Sequence, residues 1–154
     1  MTREELVNSA RLLVPPSRQA ADEYYLKSEM FSEEINRIMG ARPDVGYMTG
    51  GNIAMMQDNH RHHARFVASL LSAYSPSVLV DTVLWVFRAY RSHGFQLTYW
   101  PAQLDTWVEV LRNGLSPAAF SEIYPLYNWM IVNQPVFAQL SDGFVPAERN
   151  YVLP

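Results

Sequence analysis

Asp58, His60, Arg61, His62, His63 and Arg65 crowd onto one stretch of predicted helix, and His93 follows at the end of the next helix. A carboxylate beside imidazoles and guanidiniums accepts hydrogen bonds from ring N–H groups, and the cations pair with acid groups. That chemistry suits a flat conjugated ligand. The plainer reading of the same residues is a solvated helix face with i, i+4 pairs such as Asp58 with His62. Ile53, Met56, His60, His63, Val67, Leu70 and Tyr74 share one face at helical spacing, which turns His60 and His63 toward a core. Asp58, His62 and Arg65 form a neighbouring stripe, with Arg61 beside it. Tyr90, His93, Phe95, Tyr99 and Trp100 crowd the following helix–helix corner, where they either wall a ligand or pack as an ordinary corner.

Other chemistries fit less well. Adjacent helical positions point about 100° apart, so His62 and His63 do not chelate one metal ion easily, and no metal site is expected. His63 and His93 lie on successive helices, which invites a haem reading. His93, however, sits beside Gly94 at the end of its helix, and Tyr90 stands a turn earlier, where a proximal ligand belongs. There is no GxSxG, P-loop or HExxH motif, and no enzyme is expected. Cysteine is absent, so disulfides, thiolate chemistry and thioether attachment of a cofactor are all removed.

The elements that must position these residues read as helices. Thr2 with Glu5 has the form of a capping box, and Pro15 and Pro16 end the first helix. Ser17 caps a second helix to about Met39, with Ala20, Tyr24, Leu26, Met30, Ile35 and Ile38 as buried candidates. Gly40 to Gly51 reads as a loop, and a third helix runs from about Asn52 to Tyr74. Ser75 with Pro76 opens the fourth, which runs to about Ser92 before Gly94. Thr98 starts a fifth that Gly114 closes, and Ser116 with Pro117 opens the last, with a kink expected at Pro125. No strand alternation is present. The expected fold is all-α and globin-like, with six to eight helices in a single domain over 1–142 and a C-terminal tail over 143–154.

Composition bounds the partners. At 154 residues, 49 % hydrophobic and 18 % charged, the chain has apolar material for a real core. The 13 % aromatic share fits a ring-rich core or a pocket for a flat ligand. A net charge of −3 supplies no basic field for nucleic acid. No apolar run reaches the length of about 18 residues that suggests a membrane span, and no signal-peptide pattern opens the chain, so a cytoplasmic location is expected. The helix bearing Leu6 and Leu13 is expected to expose an apolar face that would suit a homodimer. Phe144, Tyr151 and Leu153 of the tail either dock on a partner or have no fixed structure.

The runs RPDVGYMTGGN (Arg42 to Asn52), AMMQD (Ala54 to Asp58), SPSVLVDTVL (Ser75 to Leu84) and AYRSHGF (Ala89 to Phe95) resemble, in order and spacing, the phycobiliprotein family. The resemblance covers about residues 42 to 112 and implies a globin-like fold. Where that family carries a Cys-Leu-Arg-Asp run, this chain reads Met55-Met56-Gln57-Asp58: the attachment cysteine is gone and the aspartate is retained. In these departures the chain looks like photoglobins, bacterial non-haem globins related to phycobiliproteins. The resemblance implies a photosensory or signalling module that binds biliverdin or a related linear tetrapyrrole non-covalently. It also implies association with a cobalamin-binding light-sensor or signalling protein. On that reading Asp58 accepts from pyrrole N–H groups, Arg61 and Arg65 pair with propionates, and His62 and His63 bond ring carbonyls or propionates. Tyr90, His93, Tyr99 and Trp100 wall the pocket. The rival readings are a ligand-free interaction module, whose pocket is filled by its own Met and aromatic side chains, a haem gas sensor, and a sensor of an apolar ligand such as a fatty acid.

Overall fold

The computed structural model describes residues 1–142, and over them the chain forms eight α-helices with no strand. In order these are α1 (Arg3–Ala10), α2 (Arg18–Gly40), α3 (Val45–Thr49), α4 (Ile53–Ser72), α5 (Pro76–Ser92), α6 (Tyr99–Gly114), α7 (Pro117–Val132) and α8 (Gln134–Ser141). The all-α class, with six to eight helices, is as expected. The readings made for Phe144, Tyr151 and Leu153 lie outside the described residues.

Capping chemistry sets most of the boundaries. Thr2 and Glu5 cap α1 reciprocally, and the hydroxyls of Ser17, Ser75 and Ser116 accept from Ala20 N, Val78 N and Ala119 N. Thr98 precedes α6 but its side chain caps nothing. The expected loop from Gly40 to Gly51 contains α3, whose C-cap, Gly50, is left-handed at φ 60°. The last helical segment holds Pro125 inside α7 and ends after Val132, where Asn133 turns its side chain back to Trp129 O at 2.8 Å.

Helix α2 lies at the centre, packed against α4, α6 and α7, while α5 packs between α1 and α8. Its buried seam is Ala20, Tyr24, Phe31, Ile35 and Met39, spaced three to four residues apart or in multiples of that. Leu26 and Met30 fall on the other side of that seam and are 80 % and 53 % exposed, so the expectation that they are buried fails. Leu6 reverses the other way: it is fully buried, because α1 turns that face onto α5, and it forms no exposed dimer face.

Two features fix the frame around the site. Helices α2 and α7 cap one another: Glu122 accepts from Ser17 N (2.8 Å) and Ser17 Oγ (3.1 Å), and Glu23 accepts from Ser116 N (2.6 Å) and Ser116 Oγ (2.8 Å). At the opposite corner two glycine turns meet, and a Cβ on Gly50 would lie 2.7 Å from Gly94 O. Asn52 donates to His93 O (2.7 Å) and Gln96 N donates to Met48 O (2.8 Å), which pins the start of α4 to the end of α5.

Candidate functional site: a cavity between α4 and α5

A cavity of about 60 Å3 opens between α4 and α5, floored by α6 and closed by Met130 and Phe137. Helix α4 contributes Asn59, His62, His63 and Phe66, at the i, i+3, i+4, i+7 spacing of one face. Val83, Val86 and Phe87 of α5 face them, with Trp100, Gln103 and Leu104 below. Phe87 and Trp100 stack at 4.8 Å with their planes 15° apart. The walls are therefore mostly apolar and aromatic, and a few polar groups converge on them, the usual make-up of a small-molecule site.

One polar group is left over. His62 Nδ1 is buried and has no hydrogen-bond partner among the described residues. Such an orphan costs about 1–3 kcal/mol relative to a satisfied one. Trp107 Nε1, behind His63, is in the same state.

The other polar groups near the cavity are spent on two buried networks. In the first, His60 Nδ1 lies 2.6 Å from Asn36 Oδ1, so in the neutral ring Nδ1–H donates and Nε2 accepts. The Tyr99 hydroxyl has one proton and two acceptors in reach, His60 Nε2 at 3.0 Å and Asn59 Oδ1 at 2.7 Å. Asn59 also takes a hydrogen bond with Tyr90 and a long one from Gln103 Nε2 (3.4 Å). In the second network, His63 Nε2 lies 2.9 Å from the Tyr127 hydroxyl, which lies 2.8 Å from that of Tyr24. His63 also stacks on Trp107, with ring centroids 4.6 Å apart. Burial pushes the His63 imidazole down to about 3, and burial, aided by His63 and Arg61, pushes His60 down to about 3. Burial raises the hydroxyls of Tyr24, Tyr99 and Tyr127 and pushes Tyr90 up to about 12. All of these groups are uncharged at neutral pH.

The nine residues expected to hold a ligand do not share one space. His62, His63 and Trp100 line the cavity. Tyr90 and Tyr99 are buried and engaged through Asn59. Asp58 is exposed and ion-paired to Arg61, not to His62. It stands one turn before His62 at the outer end of the Asp58–His62–Phe66 stripe, and its charge reaches Tyr90. Arg61 and Arg65 turn away from the cavity and border a separate groove against α2. His93 is exposed at the C-cap of α5, with its carbonyl rather than its ring engaged in the corner. Of the two histidines named in the haem reading, His63 lines the cavity with its Nε2 engaged by Tyr127, and His93 lies on the surface.

Several residues that build the site were not legible beforehand. Asn59 and Phe66 follow from the spacing of His62 and His63 on one helix. Gln103, Met130 and Phe137 arrive from elsewhere in the chain, and no local signal marks them. A pocket for a whole drug-sized ligand runs to roughly 300–1,000 Å3. A cavity of about 60 Å3 accepts a few waters or one small ring, and so does not hold an entire tetrapyrrole in this conformation. No group of three or more metal-ligating side chains occurs among the described residues, and none of their helices is long and apolar enough to cross a membrane. No known family, curated protein or solved structure matches this chain.

Proposed function

We propose that this chain is a non-catalytic sensory module that takes one terminal ring of a linear tetrapyrrole into the α4–α5 cavity. The rest of the ligand would run outward along the stripe toward Asp58. The observation that carries this reading is the orphaned His62 Nδ1 in a cavity walled by stacked aromatics. A terminal bilin ring is flat and carries a lactam N–H and C=O, so it supplies the missing partner whichever tautomer His62 adopts. Asp58, four residues before His62 on the same stripe, would be the carboxylate that accepts from the next ring's N–H. Arg61 and Arg65 play no part in this version, since they border the groove on the α2 side. The sequence resemblance to photoglobins supports the same ligand class, a non-covalent mode of binding and a signalling partner such as a cobalamin-binding light sensor.

A second reading, a ligand-free interaction module, has its own support. Met130, Phe66, Phe87, Trp100 and Phe137 line the space between the helices and leave a cavity of about 60 Å3. Titrating the purified chain with biliverdin, and separately with haemin, separates the readings. The proposal expects a sharpened, red-shifted bilin band that denaturant abolishes and that His62→Leu weakens by about tenfold or more, equivalent to the loss of one buried hydrogen bond. A bilin spectrum identical to that of free pigment would overturn it in favour of the ligand-free module. A Soret band with haemin would instead support the haem reading.

A further inference from the structure

We propose that the groove between α2 and α4 is the surface through which two copies of this chain pair about a two-fold axis. The groove, about 580 Å3, has Ser28, Ser32 and Ala64 on its floor, small residues that let another helix approach closely. Its α2 lip carries Tyr25 and Leu26, 67 % and 80 % exposed, and the apolar strip continues to Met30 at 53 %. Large apolar side chains presented together on one helix face mark an association surface. The charges say what docks there. Glu29 stands on the α2 wall and Arg65 on the α4 wall, and neither has an ion-pair partner among the described residues. Within one chain they face each other across the groove. A two-fold axis that lies in the plane of the interface and runs along the groove exchanges the walls, so Glu29 of each copy meets Arg65 of the other, and each apolar lip covers the partner's small-residue floor. A self-complementary patch of this kind is what an isologous dimer requires. The surface lies away from the α4–α5 cavity, so the inference does not depend on which ligand, if any, the cavity takes.

Sedimentation of the full chain across a range of concentrations up to the sub-millimolar tests it. The wild type is expected to reach twice its mass of 17.7 kDa. Leu26→Glu, Glu29→Arg and Arg65→Glu are each expected to weaken association by about tenfold or more while far-UV circular dichroism is unchanged, as all three sites are exposed. The double variant Glu29→Arg with Arg65→Glu restores the pairing with its polarity reversed, and is expected to recover dimer. A wild-type monomer throughout, or a dimer indifferent to Leu26→Glu, would overturn the proposal. Failure of the double swap to rescue would overturn the pairing of Glu29 with Arg65.

Discussion

Lowering the pH from about 7.5 to about 5 should remove about 4 kcal/mol of folding stability, and two buried histidines should account for it. Burial holds His60 and His63 neutral, each down to about 3 against an ordinary value of 6.5. Between those limits the unfolded chain binds protons that the folded chain refuses, so stability falls as pH falls. The slope is about 1.4 kcal/mol per pH unit for each histidine. The stability is complete above about pH 6.5, and the loss amounts to about 2 kcal/mol per histidine at about pH 5. Carboxylates do not confuse this window. Glu23, held below its ordinary 4.5 first by the hydrogen bond from Ser116 N, contributes stability that is present above that value and lost only below it. Urea unfolding followed by far-UV circular dichroism at several pH values measures the slope directly. His63→Gln keeps a partner for the Tyr127 hydroxyl but does not titrate, so it should halve the slope whatever it does to the absolute stability, and His60→Gln should do likewise. A wild-type slope under about 0.5 kcal/mol per pH unit, or one that neither variant alters, would refute the reasoning.

Gly50→Ala should destabilise the fold by about 1–3 kcal/mol, because the new Cβ meets Gly94 O at 2.7 Å and φ is 60°; the urea midpoint reports it. His62→Leu should stabilise the chain by about 1–2 kcal/mol by removing the orphaned Nδ1, so thermal melting should rise as ligand binding falls. Glu23→Ala should cost about 1–3 kcal/mol, since it strips two partners from the start of α7, whereas removing the half-exposed Glu34, ion-paired with Arg37 on its own helix, should change the urea midpoint little.

Helix existence was legible because Ser17, Ser75 and Ser116 stand before apolar periodic runs, and each hydroxyl does cap. Helix α3 escaped because four glycines and Pro43 lie within the stretch from Gly40 to Gly51, and composition there outvotes a single turn of helix. Leu26 and Met30 were misread as core because apolar character was weighed without phase: the seam runs through Tyr24, Phe31 and Ile35, about half a turn away. The site was legible at His62 and His63 of α4 and at Trp100 of α6, which line the cavity as expected. Its polar logic was not, because Asn36 and Tyr99 engage His60, and Tyr127 engages His63, from elements far apart in the chain. The close approach of Gly50 and Gly94 was not legible either, because the runs TGGN and SHGF lie more than forty residues apart and nothing local marks their contact.

The mutual capping of α2 and α7 has a mechanical consequence. Glu122 holds the start of α2 and Glu23 holds the start of α7, so each helix caps the other from its own second turn. A slide of one helical turn, about 5.4 Å, parts both ties at once, whereas a rocking motion about the line joining them parts neither. Met130, toward the far end of α7, borders the cavity, and Leu26 and Met30 stand farther along α2 than Glu23. The two ties therefore fix the register of α2 against α7, while a rocking about the line that joins them is opposed by neither tie.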